Sequence, residues 1–487
     1  MKKFTVVFLS ALMLIPQIFV PVIANNNTTL PDIGTAAVTT LSIGQEIEMG
    51  DYYTRLLRAS APIINDPMLN EYINSLGSKL VANADSVHTP FHFYVLQSDV
   101  LNAFAYFGGN IVVHSRLIVD TDTESQLASV MAHEIGHVTQ RHLARAMESR
   151  NKNSPYIWGA TLGSLLLALA SPEAGMAAIS GTMAGSAQSQ ISFTQSNEQE
   201  ADRVGLRTLT KAGFDPYASA DFLQKLADET RFMSKPPEML LTHPLPDSRL
   251  SDIRNRSNQY AKKTVPSSLN YYLAKARLVI LVGNNKNAAQ ILLQDYQKLN
   301  NPRANIALGY ASALVDYRGK NYVGAKTKLQ PLLDKDPNNI WFIDLMTDID
   351  LELNQKKEAI NRLLAAIKVN PSSSALQINL ASAYIENKDY QKAISLLHRY
   401  THQYSDDING WDLLMSVYQQ QRQRAQEMTA RAEILALQGQ FPQAITLLKN
   451  AKKQAQDNQF TLARIDARIN ELEQLQTRYA PYKRQLG

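Results

Sequence analysis

The sequence predicts two parts of different class, an α+β domain in the first half and an all-α array in the second. Three observations predict it. Runs rich in β-branched and aromatic residues stand near the start, "FHFYVL" at 91–96 and "NIVVHSRLIV" at 110–119, with Gly108-Gly109 ahead of the second. They read as neighbouring strands of a small sheet. The segment "TDTESQLASVMAHEIGHVTQRHLARAM" then carries apolar residues at helical spacing. From about Val265 the pattern is helical alone, and alanines recur at a fixed interval.

With 487 residues, 45% hydrophobic and 19% charged, the chain is globular and long enough for several domains. Its start, "MKKFTVVFLSALMLIPQIFVPVIANNN", has Lys2 and Lys3, an apolar run from Phe4 to Val20, and small residues at Val22 and Ala24. That layout predicts a cleavable secretory signal over residues 1–24, with an uncleaved anchor as the alternative. No cysteine is present, which removes disulfides, thiolate ligands and a lipid anchor at the cleavage site; any metal must be held by His, Asp or Glu. Losing Lys2 and Lys3 takes the net charge from +5 to 5 − 2 = +3. That is too mild for a nucleic-acid partner, and no dense basic tract with aromatics occurs. The expected domains are 25–262 and 263–487.

Within the first domain, Thr123 and Gln126 form a plausible capping box for the histidine-bearing helix. Beyond it, residues 156–189 are rich in Ala, Gly, Leu and Met, but Ser171-Pro172 breaks the run into halves too short to span a bilayer. A buried or lid-like hairpin is expected, with contact to a membrane surface or apolar substrate as the alternative. A polar helix begins near "NEQEADRVG".

In the second domain Ala325, Ala359 and Ala393 stand 34 residues apart, each preceded by twelve residues by Ala313, Thr347 and Ala381. Three before each alanine come Tyr322, Lys356 and Tyr390, and Pro337 and Pro371 repeat the interval. Ala276/Ala288 match weakly; Ala432/Phe441/Ala444 match well but are displaced by 51, which implies an additional or irregular helix around 416–429. A 34-residue unit with small residues at a helix crossing predicts tetratricopeptide repeats rather than a generic bundle.

The chemistry is carried by "HEIGH". On a helix His133 and His137 lie about 40° apart on one face, so both imidazoles can meet one ion. Glu134 can sit beside that ion without binding it and take a proton from water that the ion activates, as in H-E-x-x-H peptidases. His142 falls nine residues after His133 where the extended pattern wants ten, and reads as a surface residue. A third ligand is expected from "NEQEADRVG": Glu198, with Asp202 one turn on as a hydrogen-bond partner of a ligand imidazole or an aid to proton transfer. Glu200 points about 200° away from Glu198 and is the weaker choice. His88, His92, His114, His398 and His402 belong to no ligand motif.

"MAHEIGHVTQRH", "SNEQEADRVG" and "LTHPLPDSRL" together resemble the gluzincin family of the CAAX prenyl endopeptidase and the HtpX heat-shock protease. With a signal ahead and repeats behind, the whole chain after the signal is similar to the periplasmic, repeat-bearing branch that serves outer-membrane β-barrel assembly. The resemblance implies an α+β zincin-like metalloprotease domain followed by an all-α tetratricopeptide-repeat domain. It implies one Zn2+ held by His133, His137 and Glu198, Glu134 as general base and Asp202 in a supporting catalytic role. It also implies unfolded or misfolded outer-membrane proteins as substrates, docking on the assembly machinery through the repeats, and chaperone-like action. His243, before a proline, is left as oxyanion stabiliser, as a fourth ligand that keeps the enzyme latent, or as a structural turn. Arg249 either anchors that turn or contacts substrate. "LNAFAYFGGNIVVHSRL" resembles the family's strand beside the cleft, an edge to which a substrate backbone could add. Membrane-embedded relatives carry spanning helices, whereas this chain has only the broken run, so membrane contact should be peripheral. The competing reading is a non-proteolytic repeat scaffold with a structural or vestigial metal site.

Overall fold

The computed structural model describes residues 41–150, 194–230, 238–283, 285–455 and 459–483. The expected signal at 1–24 and the Ala/Gly/Leu-rich segment at 156–189 lie outside the described residues. Helix α1 (Ile43–Ser60) opens with a capping box in which the Ser42 hydroxyl accepts from the Gln45 N–H and Gln45 Oε1 accepts from the Ser42 N–H at 2.9 Å. Helix α2 (Pro67–Val81) starts on an Asp66 cap followed by proline.

The two expected strands are neighbours. β1 (His92–Leu96) runs parallel to β3 (Asn110–His114), and β2 (Ala103–Tyr106) pairs antiparallel with the other side of β3, giving the order β1-β3-β2. The second strand is shorter than the sequence pattern implies. Ser115 Oγ donates to the Ser98 carbonyl and accepts from the Ser98 N–H, both at 3.0 Å, and the chain turns there into α3 (Ser115–Asp120). Gly108 and Gly109 turn β2 into β3 with φ near 75°, a backbone that other residues rarely adopt. Every β3 residue is buried, because both faces of the sheet are covered. Ile111 and Val113 join the core that contains α2, whereas Val112 joins a second core that contains α1, as the two-residue period of a strand requires.

Helix α4 (Glu124–Thr139) begins where expected, but its cap is not a closed box: Thr123 Oγ1 accepts from Gln126 N–H, while Gln126 Oε1 accepts from Asp122 N–H at 2.8 Å. It is followed by α5 (His142–Arg150), α6 (Gln195–Lys211), α7 (Ala218–Thr230), α8 (Glu238–Thr242) and α9 (Asp247–Ser257). After an irregular stretch over 261–268 come helices alone. These are α10 (Leu269–Arg277), running into a π-turn to Val282, α11 (Lys286–Leu299), α12 (Pro302–Arg318), α13 (Tyr322–Lys335), α14 (Ile340–Glu352), α15 (Lys356–Val369), α16 (Ser374–Glu386), α17 (Tyr390–Gln403), α18 (Ile408–Gln420), α19 (Arg424–Leu437), α20 (Phe441–Gln454) and α21 (Gln459–Lys483).

The 34-residue interval is a packing interval. Ala313, Thr347 and Ala381 and their partners Ala325, Ala359 and Ala393 are all buried to 1% exposure or less. Each hairpin turns on a left-handed residue, at Lys320, Asn354, Lys388 and Arg422. The displacement by 51 is met by one regular extra helix, α18, rather than by an irregular one. Residues 416–429 are the end of α18, a tight turn at Arg422, and the start of α19. A second left-handed turn follows at Gly439, so α19 closes one hairpin and opens the next.

One apolar core continues from the sheet side of α2 through α10 into the repeats. At this seam Arg277 is buried between Asp66, which also caps α2, and Asp344 of α14, at 2.7 and 2.5 Å. Asn379 of α16 donates to the other oxygen of Asp344 at 2.7 Å. Breaking a buried ion pair from one side strands the remaining charges. Arg277→Met is therefore expected to destabilise the chain by about 3–5 kcal/mol, read as a lower urea midpoint.

Candidate active site

Two helices deliver the central side chains: α4 brings His133, Glu134 and His137, and α6 brings Glu198 and Asp202. They cross at glycines. A Cβ on Gly136 would stand 3.0 Å from the Ala201 carbonyl, and one on Gly205 3.0 Å from both Cα and N of His133. This close approach lets one short carboxylate reach two imidazoles. Glu198 Oε1 lies 3.3 Å from His137 Nε2, and Glu198 Oε2 lies 3.4 Å from His133 Nε2. The two Nε2 atoms are 2.9 Å apart. His243, arriving just after α8, places Nδ1 3.0 Å from Glu198 Oε1 and 3.4 Å from His133 Nε2. Donor atoms of all four residues lie within 4.8 Å of one another, and all four residues are buried.

The outer partners decide which nitrogens carry protons. Asp202 Oδ1, which can only accept, is 2.9 Å from His133 Nδ1. His142 Nε2 lies 3.0 Å from Glu200 Oε2, so its Nδ1 is left to accept from His137 Nδ1, 2.9 Å away. Both ligand candidates then turn bare Nε2 lone pairs toward each other, an arrangement that is repulsive without a cation against both. Around a tetrahedral ion with bonds of roughly 2.1 Å, donors stand about 3.4 Å apart. The cluster fits a divalent metal by chemistry and by size.

Charge agrees. Burial works against the ionised Glu198, but His243 and the neighbouring rings of His133 and His137 hold its carboxyl well below the usual range. Burial likewise opposes ionised Asp202, yet Arg249 and His133 bring it down to about 2. Arg249 grips Asp202 through Nε and Nη2 at 2.6 and 2.9 Å, meets Glu198 at 2.6 Å, and donates to the Pro244 carbonyl at 3.1 Å. It is buried and anchors the His-Pro turn. Glu134 differs from both acids. His243 Nε2 is 3.6 Å from its Oε1, and burial pushes its pKa up against the pull of His243 and His133. Beside it runs the edge strand β2, whose Ala105 backbone also acts on this carboxyl.

His133, Glu134, His137, Glu198, Asp202 and His243 are thus brought together. His142, expected at the surface, is fully buried. α4 ends at Thr139 and Arg141 is left-handed at φ 52°. The kink folds His142 back beneath His137. Glu200 does point away from the cluster, and it holds His142 together with Arg145, 2.9 Å distant. His114 is a buried structural histidine, its Nδ1 3.1 Å from the Val100 carbonyl, and His398 pairs with the Tyr418 hydroxyl at 2.8 Å.

Known proteins similar to this chain fall into one family. Peptidase family M48 matches residues 67–257, and tetratricopeptide repeat matches residues 351–417. The beta-barrel assembly-enhancing protease of Escherichia coli is 53% identical over 484 residues, 99% of each chain. That of Yersinia pestis is 54% identical over 455 residues, 93% of this chain and 94% of its own. A putative one from Vibrio cholerae is 44% identical over 454 residues, with the same shares covered.

A residue that orients a ligand imidazole from behind typically controls metal affinity. His142→Ala is expected to weaken metal binding by roughly 10–100-fold, measured by competition against a chromophoric chelator.

Proposed function

The chain belongs to the family of β-barrel assembly-enhancing proteases, metalloendopeptidases of peptidase family M48 with tetratricopeptide repeats, and from this premise we propose an exported zinc endopeptidase with chaperone-like action, working in the periplasm. Its substrates are unfolded, stalled or misfolded outer-membrane β-barrel proteins, and its repeats dock on the machinery that assembles them. The domains are 25–262 and 263–487, with the irregular stretch at 261–268 as the support for that division. The observation that carries the reading is the convergence of His133, His137 and Glu198 beside the fully buried carboxylate of Glu134.

His133, His137 and Glu198 hold one zinc ion, with Asp202 and His142 fixing the tautomers of the two imidazoles. When bound, zinc lowers the pKa of water and polarises a peptide carbonyl. Glu134 takes the proton from the attacking water and passes it to the leaving amine, a task that its raised pKa suits. Asp202 stays ionised between His133 and Arg249, so it supports His133 rather than moving a proton itself. The substrate backbone pairs with the free edge of β2, which favours extended, unfolded segments over folded ones.

His243 is the fourth ligand of a latent state. Its Nδ1 faces the donor cluster and its Nε2 faces Glu134, so one ring covers both the open position and the base. A set of four donors is also what a structural metal site has, which is the one observation favouring the scaffold reading. Such a site has no use for a further buried carboxylate, that of Glu134, beside it.

Glu134→Gln is expected to lower cleavage of an unfolded polypeptide by roughly 10²–10⁴-fold with one zinc per chain retained; an unchanged rate removes Glu134 from the mechanism. His243→Ala is expected to cleave faster than the parent with its zinc intact. A slower variant would instead assign His243 to the oxyanion.

A further inference from the structure

Helix α1, near the start of the described chain, packs against α21 at its end. Tyr52 of α1 meets Tyr479 and Tyr482 of α21 with ring centroids 5.5 Å apart in each pair, and Phe441 of α20 stacks on Tyr479 at 5.8 Å. The Tyr479 hydroxyl donates to Asp51, and that of Tyr482 to Glu48 at 3.2 Å. Arg55 donates to the Ala436 carbonyl of α19 at 2.7 Å.

The other side of α1 rests on the frame of the site. A Cβ on Gly50 would stand 2.2 Å from the Phe107 carbonyl, so the helix and the β2–β3 turn touch backbone to backbone. Thr54 Oγ1 lies 2.7 Å from the hydroxyl of Tyr106, the last residue of β2. Glu46 pairs at 2.7 Å with Arg141, at the kink after the H-E-x-x-H helix. Phe104 and Tyr106 of β2, Tyr52 and Tyr53 of α1, and Tyr479 and Tyr482 of α21 belong to one apolar core.

Strand β2 has four residues and, among the described residues, one hydrogen-bonded neighbour. So short an edge keeps its free N–H and C=O groups in register only if something braces it from behind. We propose that the terminal repeat helices brace it through α1, making Tyr479 and Tyr482 positioning residues for substrate binding at β2. The repeats thereby contribute to the reaction without touching substrate. The proposal rests on the edge-strand reading of the substrate path.

The test uses full-length protein carrying Tyr479→Ala with Tyr482→Ala, beside Tyr479→Phe with Tyr482→Phe. Hydrogen exchange is followed at residues 103–106 and across α21, together with bound zinc and the steady-state cleavage of an unfolded polypeptide. In the alanine pair, exchange at β2 and KM are each expected to rise about tenfold, with kcat and zinc unchanged. The phenylalanine pair keeps the ring packing and is expected to restore KM to within about twofold. Release of α21 with β2 exchange and KM at parent values overturns the proposal. Faster exchange at β2 with KM unmoved sinks the edge-strand reading and the positioning role with it. If the parent itself fails to cleave, the protease reading falls, and the exchange comparison alone still decides whether α21 braces β2. Should the alanine pair not fold, Arg55→Met, which keeps both tyrosines, takes its place with the same expected shifts.

Discussion

The crossing of α4 over α6 is the constraint on which the rest depends. Two glycines, Gly136 and Gly205, bring the helix backbones close enough for Glu198 to lie against both His133 and His137. Close packing also excludes water, so the cluster and the Glu134 carboxylate share a low-dielectric setting in which each charge must be answered. Arg249 answers Asp202 and Glu198, while Glu134 faces the His243 ring at 3.6 Å. That contrast separates acids that hold the site from the acid able to exchange a proton.

Much of this was legible in the sequence, because it depends on local periodicity. His133 and His137 share a helix face by spacing alone, as do Glu198 and Asp202, and the repeat residues keep their interval as buried contacts. What could not be read depends on breaks in regular structure. The kink at Arg141 redirects His142, and a hydroxyl pairing between Ser115 and Ser98 ends β3 within a run that otherwise looks like strand. Strand β2 carries too few alternating residues to announce itself. The left-handed turns at Lys320, Asn354, Lys388 and Arg422 give no glycine signal, although the turn after α19 falls on Gly439.

Contacts across the division of the chain were equally invisible. Asp66 reads as a helix cap, and it is one, but its other oxygen binds Arg277 from the first repeat helix. Glu71 of α2 accepts from the Ser373 hydroxyl at 2.8 Å, and Asn409 donates to the Asn65 carbonyl at 2.9 Å. Pairs separated by 200 to 400 residues leave no local trace in one sequence. They make the repeats a continuation of the catalytic body's interior rather than a tethered appendage.

The packing of α1 on α21 gives the molecule a closed circuit. In an open solenoid, units can be gained or lost with little penalty, since each touches only its neighbours. Here the final helix must return to a fixed berth, and α19, belonging to two hairpins, supplies the half-step in phase that brings it there. Deleting or duplicating one 34-residue unit would carry the last helix past its berth. Repeat number in this architecture is accordingly locked to a single value, and variation should collect in surface side chains instead.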